Sequence, residues 1–396
     1  MKKSVSLHMT VVIACFAFLV AVTLTTLLFC VFVIPKRDGN LFNYNQKILE
    51  INKLVDQYYI GEVNDDYVSD GLGAGYVLGL QDKYADYIPA EDAEESMNAL
   101  YGYNTGIGVQ VTAHPDNKTI FILEVHEGSP ADKAGVESGD EIVMLDGQGV
   151  AEMGYSESLA YIKSKPAGDK IEAVIERDGK LITKSIELTQ FVSQTVFYEI
   201  IDNKGYIQIT QFTDSTVDQF VEAVDYMEEQ KVDGIIFDLR GNPGGTLNSV
   251  YHMVDYLIPE GLAIRVDYKG EANDQTYLSD ANDVDLPMVV LTDANTASAS
   301  EIFAQSLKDY QKAKTVGSTT YGKGVVQRTF TLSDGSMVKF TVAKYYTANE
   351  TCLDGIGVTP DIPTEWSEDE LKYRLVNGIE VDKDFIAACD YLDSLN

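Results

Sequence analysis

Between residues 205 and 291, strand-like apolar runs alternate with a helix-like segment, and few folds accommodate this order. The apolar residues of 217–230 recur at helical spacing, whereas the strand-like runs are short and continuous: 205–209, 234–239 and 287–291. The alternation predicts a sheet layer covered by helices, in which functional sites gather where loops leave the strand ends. We therefore expect chemistry in the loops that follow the predicted strands.

One such loop, and a glycine turn later in the chain, carry residues suited to nucleophilic chemistry. Ser298 follows the run 287–291 and precedes a helix-like pattern, where backbone N–H groups and the helix dipole favour negative charge. Lys323 lies between Gly322 and Gly324 and leads into apolar residues, so burial is expected to lower its pKa and let it act as a base. Together they predict a serine–lysine hydrolase.

A nucleophilic serine needs a group that takes its proton, and histidine is the usual alternative to lysine. None of the four histidines occupies a position that suggests a Ser-His-Asp arrangement, although sequence distance does not exclude one: His8, His114, His126 and His252. A neutral Lys323 could deprotonate Ser298 and later protonate the leaving amine. Gln327 could hold that amine without raising its pKa as a carboxylate would.

An oxyanion hole is the third requirement of this chemistry. The backbone N–H of Ala299, next to the serine, is one natural donor. The Asn-Pro-Gly-Gly turn at 242–245 could bring a second, since glycine lets a backbone approach a substrate closely, although it could equally be a plain helix N-terminus. Residues 317–323 also fit most of a phosphate-binding loop, but Gly324 replaces the required Ser or Thr and strand-type residues follow. Metal-ligand spacings such as HExxH are absent, so no metal or cofactor is expected.

An uncharged apolar run, 9–34, is long enough to cross a bilayer as a helix. It ends in bulky residues, where a cleaved signal peptide would need small ones, so an uncleaved signal-anchor is favoured over a removed signal. Basic residues flank both ends, which weakens the positive-inside argument. A single N-terminal span before a large soluble part still predicts a single-pass protein of the cell membrane, with its catalytic part outside the cytoplasm.

The formal charge of −32, from 30 basic and 62 acidic residues, argues against nucleic-acid binding because phosphate would be repelled. The acidic residues are spread along the chain, which is typical of a solvated surface. Two of the four cysteines lie in the apolar run. Cys352 and Cys389 could form a disulfide or stay free.

Residues 104–190 have mostly β-type patterning and a short helix at 128–136, begun by Ser-Pro and ended by Gly. This order closely resembles a PDZ domain of the bacterial type. In that family a glycine loop offers backbone N–H groups to the terminal carboxylate of a peptide, which adds a strand to the sheet edge. The matching peptide-binding loop is Gly106, Ile107, Gly108 and Val109. A small β domain used only for packing is the alternative.

Other segments complete an α+β multidomain organisation. Residues 38–103 predict a helical module, with the small residues 71–75 suited to close helix packing. The runs 325–332 and 337–344 predict a β-hairpin. The predicted parts are a transmembrane segment (1–37), the helical module (38–103), the PDZ domain (104–190), the catalytic core (191–365) and a helical tail (366–396).

Nearly all of the chain after the membrane segment resembles the carboxyl-terminal processing proteases, the tail-specific serine peptidases of the S41 type. The resemblance implies a crotonase- or ClpP-like α/β core. It also implies roles for individual residues: Ser298 as nucleophile, Lys323 as base, Gln327 as its support and Gly244 as oxyanion donor. Two departures are present. Thr296 replaces the usual serine, and 345–350 lacks the usual Pro and Gly, which puts only the local loop in doubt.

The motifs and the resemblance together predict a membrane-anchored serine endopeptidase that cuts protein substrates near their C-termini. The expected partners are protein or peptide substrates with free C-termini, bound by the PDZ domain, and the membrane. Assembly into a homo-oligomer is plausible for the family. A catalytically silent peptide-binding sensor is the alternative, and the presence together of Ser298, Lys323, Gln327 and the glycine turn favours the enzyme.

Overall fold

The computed structural model describes residues 16, 18–25, 40–114, 118–126, 128–270, 273–280, 284–367 and 382–395. The chain divides into two compact units, Met1–Val68 and Ser69–Asn396. In the first, residues 18–25 are helical and helix α1 spans Asn40–Tyr58. Within the described residues, no helix combines the length and apolar character that crossing a bilayer requires. The predicted span 9–34 lies mostly outside those residues and stays a prediction.

The segment expected to be a helical module contains a strand as well as helices. Its elements are helix α2 (Asp65–Leu78), strand β1 (Asp86–Ile88) and helix α3 (Ala93–Tyr101). The small residues 71–75 lie inside α2, where a Cβ on Gly73 would collide with the ring of Tyr87, so close packing explains this glycine. The strand was missed because β1 has three residues, too few to show a period, and it pairs with a distant strand, Met337–Tyr346.

The next part has the expected β-rich pattern. Its strands are β2 (Tyr103–Gly106), β3 (Val109–Ala113), β4 (Ile120–Val125), β5 (Glu141–Leu145), β6 (Gln148–Gly149), β7 (Lys170–Arg177), β8 (Lys180–Glu187) and β9 (Thr189–Val192). Its helices are α4 (Pro130–Lys133), α5 (Val150–Met153) and α6 (Tyr155–Lys163). An antiparallel sheet runs in the order β3-β4-β5-β7-β8, with β6 on β5, while β2 pairs with β9. The predicted Ser-Pro helix start is confirmed, because the Ser129 hydroxyl accepts a hydrogen bond from the Asp132 N–H at 3.2 Å.

The predicted alternation of strands and helices in the catalytic core is confirmed. The strands are β10 (Val196–Ile201), β11 (Lys204–Ile209), β12 (Ile235–Asp238), β13 (Gly261–Tyr268), β14 (Gln275–Ser279), β15 (Met288–Thr292), β16 (Ala313–Gly317), β17 (Val325–Thr331), β18 (Met337–Tyr346) and β19 (Ile362–Pro363). The helices are α7 (Thr216–Gln230), α8 (Leu247–Leu257), α9 (Ala299–Asp309) and α10 (Lys383–Asp393).

A six-stranded sheet in the order β10-β11-β12-β15-β16-β19 forms the centre of this core, and it is parallel from β11 onward. Successive side chains of its strands face opposite sides. Ile235 and Phe237 join the larger apolar cluster with α7, α8 and α9, whereas Ile236 joins a smaller cluster with α10. Both sides are covered, which explains why 234–239 is mostly apolar, with Asp238 as its one charged residue. The loops after β12 and β15 therefore leave the same edge of the sheet.

A second sheet, β1-β18-β13-β14 with β17 on β18, contains the predicted hairpin of β17 and β18. Helix α10 confirms a helical element in the tail, although residues 368–381 lie outside the described part. Cys352 and Cys389 are both free, which settles the choice left open by the sequence. Burial raises the pKa of the Cys389 thiol.

Candidate active site

Ser298 ends the loop after β15 and immediately precedes α9. Its backbone has φ 59° and ψ −117°, a left-handed conformation that is strained for a residue with a Cβ. The Ser298 N–H donates to Glu301 Oε2 at 2.8 Å, and the residue is only partly buried. The loop therefore presents the serine at the end of a parallel strand, as the sequence predicts.

The carboxylate of Glu301, which is fully buried, joins the serine loop to the lysine loop. Oε2 accepts from the N–H of Ser298 and from the N–H of Lys323, each at 2.8 Å. Oε1 accepts from the Gly322 N–H at 2.7 Å and from the Thr320 hydroxyl at 2.5 Å. Because both backbone N–H groups bond to the same oxygen, the backbones of the two predicted catalytic residues lie close together.

Tyr345 forms a second link between the same loops. Its hydroxyl donates to the carbonyl oxygen of Lys323 and lies 3.4 Å from that of Ser298. Burial raises the pKa of Tyr345 well above its ordinary value, so the phenol stays protonated as a donor. Tyr345 opens the segment 345–350 that departs from the family pattern, and it nevertheless contacts both loops.

Lys323 is held by neutral groups. Its Nζ donates to Gln327 Oε1 at 2.8 Å and lies 4.9 Å from the ring centroid of Tyr84. The Gln327 amide in turn donates to the Tyr84 carbonyl oxygen. Burial is the main cause that lowers the pKa of Lys323, and the charge of Lys339 lowers it further. The amine is therefore displaced toward the neutral form that a base requires.

The glycine turn after β12 lies against the serine. A Cβ on Gly244 would come 2.6 Å from the Ala297 carbonyl oxygen and 2.9 Å from both Ala299 N and Ser298 Cβ, so only glycine fits. Its φ of +99° imposes the same restriction. The predicted turn thus approaches the nucleophile closely.

The two predicted oxyanion donors are in different states. The Gly244 N–H donates to Asn242 Oδ1 at 2.8 Å, and the buried Asn242 amide donates to the Ile209 carbonyl at 2.7 Å. Among the residues that the structure describes, the Ala299 N–H has no hydrogen-bond acceptor. The Ala299 N–H is therefore available to an oxyanion, whereas Gly244 must first leave Asn242.

The predicted peptide-binding loop lines a cleft of about 680 Å³. Gly106 ends β2, and Gly108 adopts a φ of +74° that glycine favours. Ile107, Val109 and Leu159 of α6 all line the cleft, so part of its wall is apolar. Within the described residues, the N–H groups of Ile107 and Gly108 have no acceptor, as a carboxylate-binding loop requires.

Sequence reasoning missed three residues of the catalytic arrangement. Glu301 could have been found, since its position three residues after Ser298 is the spacing of a capping box. Tyr84 and Tyr345 come from distant segments with no local signal. A strand follows Lys323 where a phosphate-binding loop would have a helix, which excludes that alternative. In the described part of the chain, no group of three His, Cys, Asp or Glu side chains could hold a metal ion.

Comparison with known proteins agrees with this architecture. The model of peptidase family S41 matches residues 203–364, and that of the PDZ domain matches residues 105–188. The carboxy-terminal processing protease CtpA of Bacillus subtilis (strain 168) is 33% identical over 347 residues, covering 86% of this chain and 73% of that protein. A carboxy-terminal-processing protease of Bartonella bacilliformis is 29% identical over 343 residues, covering 84% and 78%.

A solved S41 protease structure from Bacteroides fragilis NCTC 9343 has a TM-score of 0.50 and 22% identity, covering 75% of this chain and 83% of that one. At this identity the likeness shows the fold alone. The family resemblance noted in the sequence is thus confirmed by the family models and the curated relatives. The chain belongs to peptidase family S41, the carboxyl-terminal processing proteases, and is a serine-type peptidase with a PDZ domain.

Proposed function

We propose that the protein is a membrane-anchored endopeptidase that cuts protein substrates near their C-termini with a Ser298–Lys323 dyad. The observation that carries this proposal is the Glu301 carboxylate, which holds the backbones of both residues through one oxygen. Two relatives bear the name carboxy-terminal processing protease, which supports the proposal that cleavage occurs near the C-terminus of the substrate.

In the proposed mechanism, the neutral amine of Lys323 takes the Ser298 hydroxyl proton while the oxygen attacks the scissile carbonyl. The Ala299 N–H stabilises the oxyanion, joined by Gly244 once its N–H leaves Asn242. The oxyanion then collapses, the scissile C–N bond breaks, and the protonated Lys323 gives its proton to the leaving amine. Water hydrolyses the acyl group left on Ser298, with Lys323 again as the base. Gln327 Oε1 accepts a hydrogen bond from the amine in both states and orients it without adding charge.

The catalytic part of the proposal is tested with a loosely folded protein substrate. Ser298→Ala and Lys323→Ala should each abolish cleavage and leave the fold intact. Lys344→Ala is the matched control, because Lys344 forms only an exposed ion pair with Asp354 and its loss should leave the rate unchanged. Near-normal cleavage by Lys323→Ala would rule out the dyad.

We also propose that the cleft at Gly106, Ile107, Gly108 and Val109 captures the terminal carboxylate of the substrate. The full chain carrying Ser298→Ala should bind a peptide with a free apolar C-terminus more tightly than its amidated form. Equal affinity for both would contradict carboxylate capture. If the unaltered chain bound such peptides but cleaved no protein, the peptide-binding sensor would be the better description.

For localisation, we propose that 9–34 is an uncleaved single-pass anchor and that the catalytic part lies outside the cytoplasm. The uncharged length of the run supports this. Deletion of 1–37 should move the protein from the membrane fraction to the soluble fraction. In intact cells with a permeabilised outer layer, added protease should digest the catalytic part. Protection from digestion would contradict the orientation.

We propose a homo-oligomer from α1, on which apolar side chains at helical spacing are exposed. Ile51 is 54% and Leu54 58% exposed, although both are strongly apolar. Analytical ultracentrifugation should give a mass of more than one chain per particle. The double variant Ile51→Asp, Leu54→Asp should give a mass closer to that of the monomer. A monomer throughout would refute association.

A further inference from the structure

We infer that the C-terminal helix α10 positions the glycine turn at the catalytic serine through Arg240, Asp382 and Asp384. The inference rests on the proposed function, because it concerns the efficiency of the same site. Arg240 is the first residue of the turn that leads to Gly244. It is separated by more than 140 residues from the two aspartates that hold it.

The guanidinium of Arg240 is buried and surrounded by carboxylates. Its side chain is 8% exposed, and those of Asp238, Asp382 and Asp384 are 3–4% exposed. It donates to Asp238 Oδ1 from Nε at 2.9 Å and to Asp382 Oδ2 from Nη1 at 2.8 Å. The same Nη1 donates to Asp384 Oδ2 at 2.8 Å. Buried pairs of this kind fix geometry, since loss of one partner leaves uncompensated charge.

The two aspartates are themselves fixed by α10 and the chain before it. Asp382 caps the helix, because its Oδ1 accepts from the Asp384 N–H at 3.0 Å and from the Phe385 N–H at 3.3 Å. Asp384 Oδ1 accepts from the Trp366 indole at 2.9 Å. Phe385 is buried against the central sheet. Arg240 therefore bonds to two aspartates that are themselves restrained by α10 and by Trp366.

The two residues that follow Arg240 in the chain, Gly241 and Asn242, form hydrogen bonds with the loop and helix that carry Ser298. The Gly241 N–H donates to Asp293 Oδ1 at 3.0 Å. The Asn242 carbonyl oxygen accepts from the Ala297 N–H at 3.0 Å and from the Ser300 hydroxyl at 3.1 Å. A shift of Arg240 would thus move the turn relative to Ser298 and to the oxyanion donors.

Asp382→Asn separates this positioning role from helix capping. Asparagine caps helices as well as aspartate does, so its oxygen can keep the N–H groups of Asp384 and Phe385. Oδ1 also accepts from Arg240 Nη1 at 2.9 Å and can keep that bond, but an amide nitrogen replaces the Oδ2 that accepts from Nη1 at 2.8 Å. Two donors then face each other there, and the negative charge is lost. Asp393→Asn is the matched control: it removes the 2.7 Å ion pair with Lys204 from the same helix without touching Arg240.

The test measures cleavage kinetics of the full chain on one protein substrate. We expect Asp382→Asn to lower kcat by about 10-fold to 100-fold, as small misplacements at active sites do, with KM within about twofold. Covalent labelling of Ser298 by a phosphonate probe, which needs the oxyanion hole, should slow in parallel. Asp393→Asn should match the unaltered chain in all three measurements.

Equal kcat values for Asp382→Asn and Asp393→Asn would overturn the inference. So would a loss of kcat that is fully explained by a smaller folded fraction in thermal melts. If the unaltered chain cleaves no substrate, the proposed function fails instead, and the labelling rates of the two variants still test the positioning role. Unequal labelling would support it and equal labelling would refute it.

Discussion

Replacement of Glu301 by glutamine removes the charge that joins the two catalytic loops and changes the volume little. The carboxylate accepts four hydrogen bonds, from Ser298, Lys323, Gly322 and Thr320. In the better of two orientations, the glutamine oxygen keeps the Ser298 and Lys323 N–H groups and its amide donates to the Thr320 hydroxyl. The Gly322 N–H is then left without an acceptor.

The expected loss of folding stability follows from the changes in these four hydrogen bonds. A buried N–H without a partner costs about 1–3 kcal/mol, and two bonds that lose charge assistance weaken by about 1 kcal/mol each. We therefore expect Glu301→Gln to lower the free energy of unfolding by about 3–5 kcal/mol. Because the bonds that join the two loops are weakened and the Gly322 N–H next to Lys323 loses its acceptor, kcat should fall at least about 100-fold.

The dependence of kcat/KM on pH is a second readout, and a loss of folding stability alone would not shift it. Burial is the main cause of the low pKa of Lys323, and the charge of Glu301 opposes it. Without that charge the pKa of Lys323 falls further, so the acid limb of kcat/KM should move to lower pH. The assay is chemical denaturation together with kcat/KM on a short peptide between pH 5 and 10.

Asp140→Asn is the matched control for this experiment. Asp140 is also a buried carboxylate, and it accepts from Arg177 Nε at 2.6 Å and from the Glu137 N–H at 2.8 Å. It lies in the PDZ domain and not in the peptidase part of the chain. It should lose comparable stability and keep kcat on a short peptide. If Glu301→Gln lost stability but kept kcat within about threefold of the unaltered chain, the proposed role of Glu301 would be wrong.

Three further predictions concern single contacts. Gln327→Glu places a carboxylate at the amine of Lys323 and stabilises its charged form, so the acid limb of kcat/KM should move to higher pH; an unmoved limb would contradict the contact. Gly244→Ala should lower kcat by about 10²-fold by displacing the oxyanion turn. Gly241→Ala imposes similar backbone strain, at a φ of +75°, but its Cβ would meet open space, so it should retain much more activity. Hydrogen bonds keep the pKa of Asp140 below its usual 3.8 although burial alone would raise it, so its stabilising contribution is complete above that pH and is lost as pH falls through the lowered pKa. Unfolding titrations between pH 5 and 2 should therefore show a weaker pH dependence in Asp140→Asn.

Features set by local chemistry could be predicted from the sequence. The strongly apolar run 234–239 indicated a buried strand, and β12 is buried, with apolar clusters on both sides. Ser298 directly precedes a helix, as the sequence predicts, and Gly322 next to Lys323 adopts a φ of +85° that glycine favours. These predictions succeeded because periodicity and turn chemistry act within a few residues.

Features set by distant segments could not be predicted. Tyr84 belongs to a segment expected to be helical only, yet its carbonyl accepts from Gln327 and its ring covers the Lys323 amine. The pairing of β1 with β18 also joins residues some 250 positions apart, and a three-residue strand leaves no periodic signal. Nor could the sequence show that the Gly244 N–H is taken by Asn242, since this depends on a rotamer.

The dyad is tested most directly by the rate at which a fluorophosphonate labels Ser298 as a function of pH, with the labelled residue identified by mass spectrometry. We expect one labelled residue, Ser298, and a rate that rises with pH through a single ionisation below that of an ordinary lysine. Lys323→Met should remove both the fast labelling and its pH dependence. Labelling of Lys323→Met at the unaltered rate, or labelling at a different serine, would contradict a neutral Lys323 acting on Ser298.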